Sequence, residues 1–209
     1  MSLVAPVLRW PGAKWRIAEW VVSHLPWHDA YVEPFLGSGA VFFTKEASRV
    51  EVINDLDGHV VTLFRVLREQ GAELAALLAL TPWAQEEYDR CWAALKAGGL
   101  SDLERARCVV VVTWQQIGRR PVDVRTKWRF RELAGQSPVT AWHTLPDRVH
   151  YAVTRLAGAQ ISQFPAVKLI EQVQGPEALL YCDPPYLREI RSGTRMYEHE
   201  MRAVNSMTS

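Results

Sequence analysis

The sequence predicts an α/β domain built on parallel strands, and two observations carry this prediction. Short apolar segments that end in turns alternate with segments whose apolar residues recur at helical spacing. The same alternation returns near the end of the chain, after a long helical region. Strands separated by helices pair in parallel, since the chain must cross over between them. The predicted strands are 30–35, 51–55, 159–162 and 178–183.

The helices follow from spacing and from helix-breaking residues. Residues 14–25 have apolar side chains at helical intervals and are followed by Pro26, and further helices are expected at 40–47, at 58–70 and before Gly158. From 72 to 107 the sequence is helical, with breaks at Pro82 and Gly98-Gly99. The run 108–114 fits a strand or a buried helix, and 119–138 is loop or hairpin material. We therefore expect a discontinuous α/β domain, 1–71 and 145–209, interrupted by an insertion at 72–144.

Composition narrows the class of protein. The chain has 209 residues, 48% of them hydrophobic, which is enough to bury a core. A net charge of +1 means that affinity for nucleic acid must come from local patches. The three cysteines include no Cys-x-x-Cys pair, so no disulfide framework or metal site is predicted. Without a signal-peptide layout or an apolar run near roughly 20 residues, a cytoplasmic protein with no membrane segment is expected.

Two features point to a nucleotide-like ligand. A glycine turn, Gly37-Ser38-Gly39, follows the first strand, where it lets the backbone pass close to a ligand and exposes helix N–H groups. A purely structural turn is the alternative. Asp55 ends the second strand, where a carboxylate accepts hydrogen bonds from ribose hydroxyls. Its alternative role is the N-cap of the next helix.

The sequence Asp183-Pro184-Pro185-Tyr186, directly after an apolar strand, points to chemistry on a flat molecule. The two prolines remove backbone N–H donors and stiffen the chain. What remains is one carboxylate, free carbonyls and an aromatic ring. These groups suit a base with an exocyclic amine, which would donate to Asp183 while Tyr186 stacks on the ring. A plain turn is the structural alternative.

These motifs resemble, in the same order from Arg9 to about Met201, the DNA adenine methylases of the alpha arrangement (D12 class). The resemblance implies a Rossmann-like methyltransferase fold that uses S-adenosylmethionine, with an inserted, mainly helical target-recognition region. It also implies methylation of adenine N6 in double-stranded DNA, without a metal. The matching segments are RWPGAK at 9–14, EPFLGSG at 33–39, ND at 54–55, QF at 163–164 and DPPY at 183–186.

The resemblance also implies roles for single residues. Asp183, Pro184 and Tyr186 match the catalytic motif. An acidic residue usually precedes the phenylalanine of the QF segment, and Gln163 stands there instead. Taken alone, Trp10 also fits an ordinary core aromatic, and Lys14 a solvated lysine at a helix start. The residues that match S-adenosylmethionine-binding positions are Trp10, Lys14, Phe35, Gly37, Gly39, Asp55, Phe164 and Asp183.

Basic residues concentrate in the second half of the insertion. Between Arg105 and Arg131 there are eight Arg or Lys residues and one acid, Asp123. Within 125–131, basic residues alternate with Trp128 and Phe130, so a strand would have one basic face for DNA phosphates. A solvated amphipathic strand is the alternative. The residues predicted to contact DNA are Arg119, Arg120, Arg125, Lys127 and Arg129.

The chain ends soon after Tyr186, whereas the implied fold places further strands there. We therefore expect a chain shortened at its C-terminus, with a second chain completing the sheet or with a truncated, inactive remnant that still binds DNA or cofactor. RNA or protein amides are less favoured substrates. The sequence leaves open the target sequence, the oligomeric state and the setting, whether a solitary methylase, a phage enzyme or part of a restriction–modification pair.

Overall fold

A computed structural model describes residues 5–130, 138–173 and 175–185. In this part of the chain, four parallel strands form one sheet in the order β3-β2-β1-β4. The predicted α/β class with parallel strands is confirmed. The strands are β1 (Ala30–Glu33), β2 (Val50–Asn54), β3 (Ala159–Ser162) and β4 (Ala178–Leu180).

The strand order creates a crevice at one end of the sheet. The chain runs from β1 to β2 and β3 on one side, and β4 then returns to the other side of β1. Val32 in the centre is paired with Val52 in β2 and with Leu180 in β4. Ligands of open parallel sheets bind outside the carboxyl ends of the strands, where the order reverses. The carboxyl ends of β1 and β4 flank that point here.

Helices occupy most of the remaining described residues. The first begins at Ala18 rather than at 14, so residues 14–17 belong to the loop that precedes it. The helices are α1 (Ala18–Ser23), α2 (Ala40–Thr44), α3 (Gly58–Glu69), α4 (Gly71–Leu80), α5 (Gln85–Ala97), α6 (Asp102–Gln115), α7 (Pro138–Trp142), α8 (Leu145–Leu156) and α9 (Ala166–Gln172). Helices α2 to α5 and α8 lie close to predicted positions, whereas α7 and α9 were not predicted.

The run 108–114, which fits a strand or a buried helix from sequence, lies within α6. Ser101 caps this helix by accepting a hydrogen bond from the Glu104 N–H. Every residue from Ala106 to Gln115 is buried, because α6 packs against α3, α4 and α5. Burial on all sides removes the polar positions that would have revealed a helical period.

The predicted insertion packs closely on the predicted catalytic part. Helix α4 lies against α8, and a Cβ placed on Gly71 at its start would come within 2.2 Å of Val153 Cγ2. Buried side chains of α3, α6 and α8 belong to one hydrophobic cluster. The division at 72 and 144 therefore stays a prediction about function, since the core continues across both boundaries.

Candidate active site

A cleft of about 310 Å³ lies at the carboxyl ends of the strands. Its walls come from the loop at 10–14, the turn after β1, the segment after β2, the start of α9 and the segment after β4. Parallel strands end at the same edge of a sheet, so residues far apart in sequence meet there. Of the residues predicted to bind cofactor, all line this cleft except Gly39.

The glycine turn after β1 forms one wall. Gly37 has φ +51°, and a Cβ there would lie 3.0 Å from Trp10 Cδ1. Trp10 is 5% exposed, so it is a packed aromatic that also lines the cleft. Gly39 has φ +69° and starts α2, where a Cβ would lie 2.9 Å from Phe43 Cε2. Gly37 thus contributes to the cleft itself, whereas Gly39 lets the chain turn into α2.

Asp55 is held by backbone N–H groups at the edge of this cleft. One carboxylate oxygen accepts from Gly37 N at 2.7 Å and the other from Asp57 N at 2.9 Å. Burial raises the pKa of Asp55 to about 6, and these hydrogen bonds oppose the rise. The N-cap of α3 is Asp57, which accepts from His59 N and Val60 N. The alternative role of Asp55, capping α3, is therefore filled by Asp57.

Asn54, at the end of β2, joins the segments that follow three strands. Its Nδ2 donates to Pro34 O at 2.9 Å and to Phe164 O at 3.0 Å. Its Oδ1 accepts from Phe164 N at 2.8 Å and from Ser162 Oγ at 2.9 Å. All of its hydrogen-bonding capacity is used, so Phe164 is fixed in the wall. Phe164 remains 38% exposed there.

Lys14 and Asp183 form an ion pair in the cleft. Lys14 Nζ lies 2.8 Å from Asp183 Oδ1 and 2.6 Å from Oδ2, and it also donates to Gly12 O at 3.0 Å. Both side chains are partly exposed, 24% and 30%. The motifs assign each residue to the same ligand but do not predict their contact. The hydroxyphenyl ring of Tyr186, predicted to stack on the substrate, lies outside the described residues.

Glu33 is a cleft residue for which the sequence predicted no role. It is 2% exposed and accepts a hydrogen bond from Tyr31 Oη at 2.7 Å. Burial raises its pKa to about 8, with a smaller contribution from Asp183. The signal available in sequence was an acid at the end of a buried strand, directly before the glycine turn.

The basic segment, residues 116–130, forms a loop of the kind expected for 119–138, and its described residues include no strand. Its two ends pair with each other through one antiparallel bridge, Gln116 to Trp128, and through Ile117 N, which donates to Lys127 O at 2.9 Å. Exposure alternates from Arg125 to Trp128 and then reverses, because Arg129 N bonds to Gln115 O and turns Phe130, 72% exposed, to the solvent. Arg131 lies outside the described residues.

Gln115 anchors this basic segment. The side chain is fully buried; its Oε1 accepts from Ala84 N at 3.1 Å and from Trp128 Nε1 at 3.2 Å, while Nε2 donates to Pro82 O. The neighbouring Gln116 donates to Arg120 O at 2.7 Å. The segment is therefore fastened near α6 at its ends, and between them Val122 is buried in the core and Tyr88 Oη donates to Thr126 O.

The five residues predicted to contact DNA differ in their surroundings. Arg119 and Lys127 are exposed, and Arg120 and Arg129 are half-buried. Arg125 forms an ion pair with Asp89 at 2.6 Å and lies over the Trp92 ring at 4.9 Å. Its charge is thus partly compensated within the protein.

Metal-binding clusters and membrane spans are both absent from the described residues. Within these ranges, no group of three or more His, Cys, Asp or Glu side chains is placed to hold a metal ion. No helix there has the length and hydropathy needed to cross a bilayer.

Comparison with known proteins identifies the relatives of the first part of the chain. Residues 10–93 match the family model of D12 class N6 adenine-specific DNA methyltransferases. The DNA adenine methylases of Escherichia coli K12 and Salmonella typhi are 31% identical over 61 residues, 29% of this chain and 22% of theirs. The DNA N-6-adenine-methyltransferase of Escherichia phage P1 is 28% identical over 71 residues, 34% of this chain and 9% of that protein.

The matches therefore span about a fifth or less of the length of these relatives. The matched segment contains the loop at 10–14, the glycine turn and Asp55, which are three of the walls of the cleft. The parallel sheet with its helices agrees with a Rossmann-like methyltransferase fold. Residues 10–93 of the chain are thus similar to the D12 class of N6 adenine-specific DNA methyltransferases.

Proposed function

We propose that this chain binds S-adenosylmethionine in the cleft and transfers its methyl group to N6 of adenine in double-stranded DNA. The observation that carries the proposal is the Lys14–Asp183 ion pair. It sets the carboxylate of the Asp-Pro-Pro segment at the edge of a cleft that has three walls within the segment matched by the family model.

The cleft residues fit this cofactor by their chemistry. Gly37 keeps the wall next to Trp10 free of a side chain, and Phe35 and Phe164 add apolar surface for a purine or an aliphatic chain. The carboxylate of Asp55 suits ribose hydroxyls, and the Lys14 ammonium suits a carboxylate. When bound, S-adenosylmethionine supplies an electrophilic methyl group on a sulfonium centre. Trp10, Gly39 and Asp183 complete the proposed cofactor-binding set.

Asp183 and Pro184 would act on the exocyclic amine of adenine. The N6 lone pair is delocalised into the ring, and acceptors for its N–H groups favour the pyramidal, nucleophilic form. Carboxylate and carbonyl oxygens supply those acceptors, and the prolines contribute no competing N–H. Holding the amine in position in this way accounts for most of the expected acceleration. The base must leave the duplex first, and Tyr186 is proposed to stack on it.

The proposed division of labour follows the predicted domains. Residues 1–71 and 145–209 carry the cofactor and the catalytic carboxylate, and residues 72–144 contact the duplex. Arg119, Arg120, Arg125, Lys127 and Arg129 are the proposed phosphate contacts. Their concentration on one loop with exposed side chains at Arg119, Arg125 and Lys127 supports this role, since long basic side chains there can follow the DNA backbone.

The test is transfer of tritiated methyl groups from S-adenosylmethionine to unmethylated duplex DNA. We expect incorporation that falls at least about 100-fold in Asp183→Ala, because the amine loses its acceptor. Asp147→Ala, which removes an exposed carboxylate of α8, should retain activity. A duplex of G·C pairs alone, an RNA duplex and a bulk protein serve as substrates that should not be labelled.

The same preparation should be titrated with S-adenosylmethionine by calorimetry. Cofactor binding without incorporation would overturn the catalytic proposal and leave a chain that keeps the family cleft without its chemistry. Incorporation into the G·C duplex or RNA would contradict the assignment of adenine in DNA. Absence of cofactor binding would contradict the assignment of the cleft.

A further inference from the structure

Four arginines from separate parts of the chain lie close enough beside the cleft for the charges of three of them to act on the fourth, Arg9, which directly precedes Trp10 of the cleft wall. Two of the others lie on the basic segment and one lies on α8. We call them the arginine cluster: Arg9, Arg119, Arg129 and Arg148.

Two members of the arginine cluster lie over the indole ring of Trp114, near the end of α6. The guanidinium carbon of Arg9 lies 4.9 Å from the ring centroid and that of Arg148 lies 5.2 Å from it. Trp114 is itself fixed, since it is 2% exposed and its Nε1 donates to Val7 O at 2.7 Å. Arg148 also donates to Pro6 O at 3.0 Å. Two guanidinium groups are thus held on one rigid aromatic support.

The cluster is not neutralised within the described part of the chain. No ion pair found there includes any of its four members. Two largely buried arginines elsewhere in the protein are paired: Arg107 contacts Glu87 and Glu104, and Arg155 contacts Glu51. Burial and, after it, the three neighbouring arginines lower the pKa of Arg9 to about 10, so Arg9 still carries its charge at neutral pH.

Gathering four like charges around a half-buried site costs free energy, and an anion bound there offsets that cost. We propose that the arginine cluster is a phosphate-binding site that holds the backbone of the DNA substrate beside the cleft. Guanidinium groups match phosphate oxygens in pairs, and aromatic stacking fixes their planes in advance. The inference rests on the proposed function and adds Arg9 and Arg148 to the contacts expected from the sequence.

The position of the cluster ties duplex binding to the chemistry. Arg9 directly precedes Trp10, so a phosphate bound to the cluster would lie next to the loop that forms one wall of the cleft. Arg119 and Arg129 add positive charge from the basic segment near the same point. An anion held by Arg9 and Arg148 would therefore link the N-terminal loop to α8 next to the basic segment and fix the register of the duplex against the cleft.

The experiment is titration of a short fluorescein-labelled DNA duplex by fluorescence anisotropy at several KCl concentrations. Arg9→Gln and Arg148→Gln remove charge from the cluster, and Arg148→Lys keeps the charge but loses the planar group. Arg49→Gln is the matched control: it loses the same charge from an exposed arginine paired with Asp29, next to the amino ends of the strands. Thermal unfolding and calorimetry with S-adenosylmethionine accompany each variant.

We expect each Gln variant of the cluster to weaken duplex binding about 3- to 10-fold and to lower the salt slope of log Kd by about 0.9 for each phosphate that the variant no longer neutralises. Arg148→Lys should keep the parent slope, and Arg49→Gln should change neither slope nor cofactor affinity. A purely structural role for Arg148 would lower the melting temperature and leave the salt slope unchanged, which would overturn the proposal.

The outcomes separate this inference from the proposed function. If the parent chain methylates DNA and the cluster variants match Arg49→Gln, only the phosphate site is wrong. If the parent chain binds S-adenosylmethionine but no duplex, the proposed function fails and the inference fails with it. If an RNA duplex displaces the labelled DNA better than unlabelled DNA does, the cluster serves a different nucleic acid and the proposal for DNA is overturned.

Discussion

The cleft and the basic segment differ in how their functional side chains are held. In the cleft, hydrogen bonds connect residues that are far apart in sequence, such as Asn54 with Phe164 and Lys14 with Asp183. In the basic segment, the backbone is fastened at its ends and most basic side chains extend into solvent. The cofactor site thus depends on preset geometry, whereas duplex binding depends on charge that can adjust its position.

If cofactor binding depends on the preset geometry of the cleft, loss of one charged side chain there should strongly reduce the affinity for the cofactor. We expect Lys14→Gln to weaken S-adenosylmethionine binding about 10- to 100-fold, because a hydrogen bond to a charged group contributes roughly 1.5–3 kcal/mol. Calorimetry measures it, and Arg16→Gln, an exposed charge two residues away, is the control. Equal affinities for parent and Lys14→Gln would place the cofactor elsewhere.

The glycine turn offers a second test of whether the cleft depends on preset geometry. Gly39→Ala should lower the free energy of unfolding by about 2–3 kcal/mol, since it adds a close contact with Phe43 to the strain of a positive φ. Gly99→Ala has φ +77° with no atom within 4 Å, so it should cost only about 1 kcal/mol. Urea denaturation measures both. Similar losses would show that the turn tolerates a side chain.

The buried carboxyl of the cleft predicts a dependence of stability on pH. Burial raises the pKa of Glu33 to about 8, so its stabilising contribution is complete below its unfolded pKa and is lost as pH rises through about 8. Glu33→Gln should remove this loss and raise stability at pH 9 by about 2 kcal/mol relative to the parent. Melting temperatures from pH 5 to 9 test it, with exposed Glu73→Gln as control. Parallel pH profiles for parent and Glu33→Gln would contradict the assignment.

Single substitutions in the basic segment should have the smallest effects on duplex binding, because each removes only one positive charge. Lys127→Gln removes an exposed charge and should lower the salt slope of duplex binding by about 0.9. Arg125→Gln should change the slope less, because Asp89 already engages that guanidinium. Anisotropy titrations of the two variants side by side measure the difference. A larger change in slope for Arg125→Gln would mean that the Asp89 pair opens when DNA binds.

The sequence predicted the sheet well, because β1 and β2 are apolar runs ended by turns, and a parallel sheet follows from their alternation with helices. It failed to decide 108–114, since a helix buried on every side has no polar face. It also indicated a strand at 125–131, where the hydrogen bond from Arg129 N to Gln115 O reverses the alternation. That bond joins two segments, and no local pattern contains it.

The cleft residues predicted from motifs lie together. They meet because the segments that contain them follow parallel strands, whose carboxyl ends share one edge of the sheet. Their partners were not predictable. The Lys14–Asp183 contact spans most of the chain, and the capping role fell to Asp57 because Asp55 is occupied by Gly37 N. Contacts of this kind depend on the exact packing of the strands, which residue types and spacing do not specify.

The two buried glutamines at the end of α6 have a consequence for how new specificities could arise. Gln115 and Gln116 hold both ends of the basic segment through hydrogen bonds to its backbone and to Trp128. Between these anchors, residues 117–119 are exposed, whereas Val122 belongs to the hydrophobic core. Insertions at 117–119 would leave the core contact and both anchors in place, so this short stretch is the position at which sequences from other target-recognition loops could be grafted.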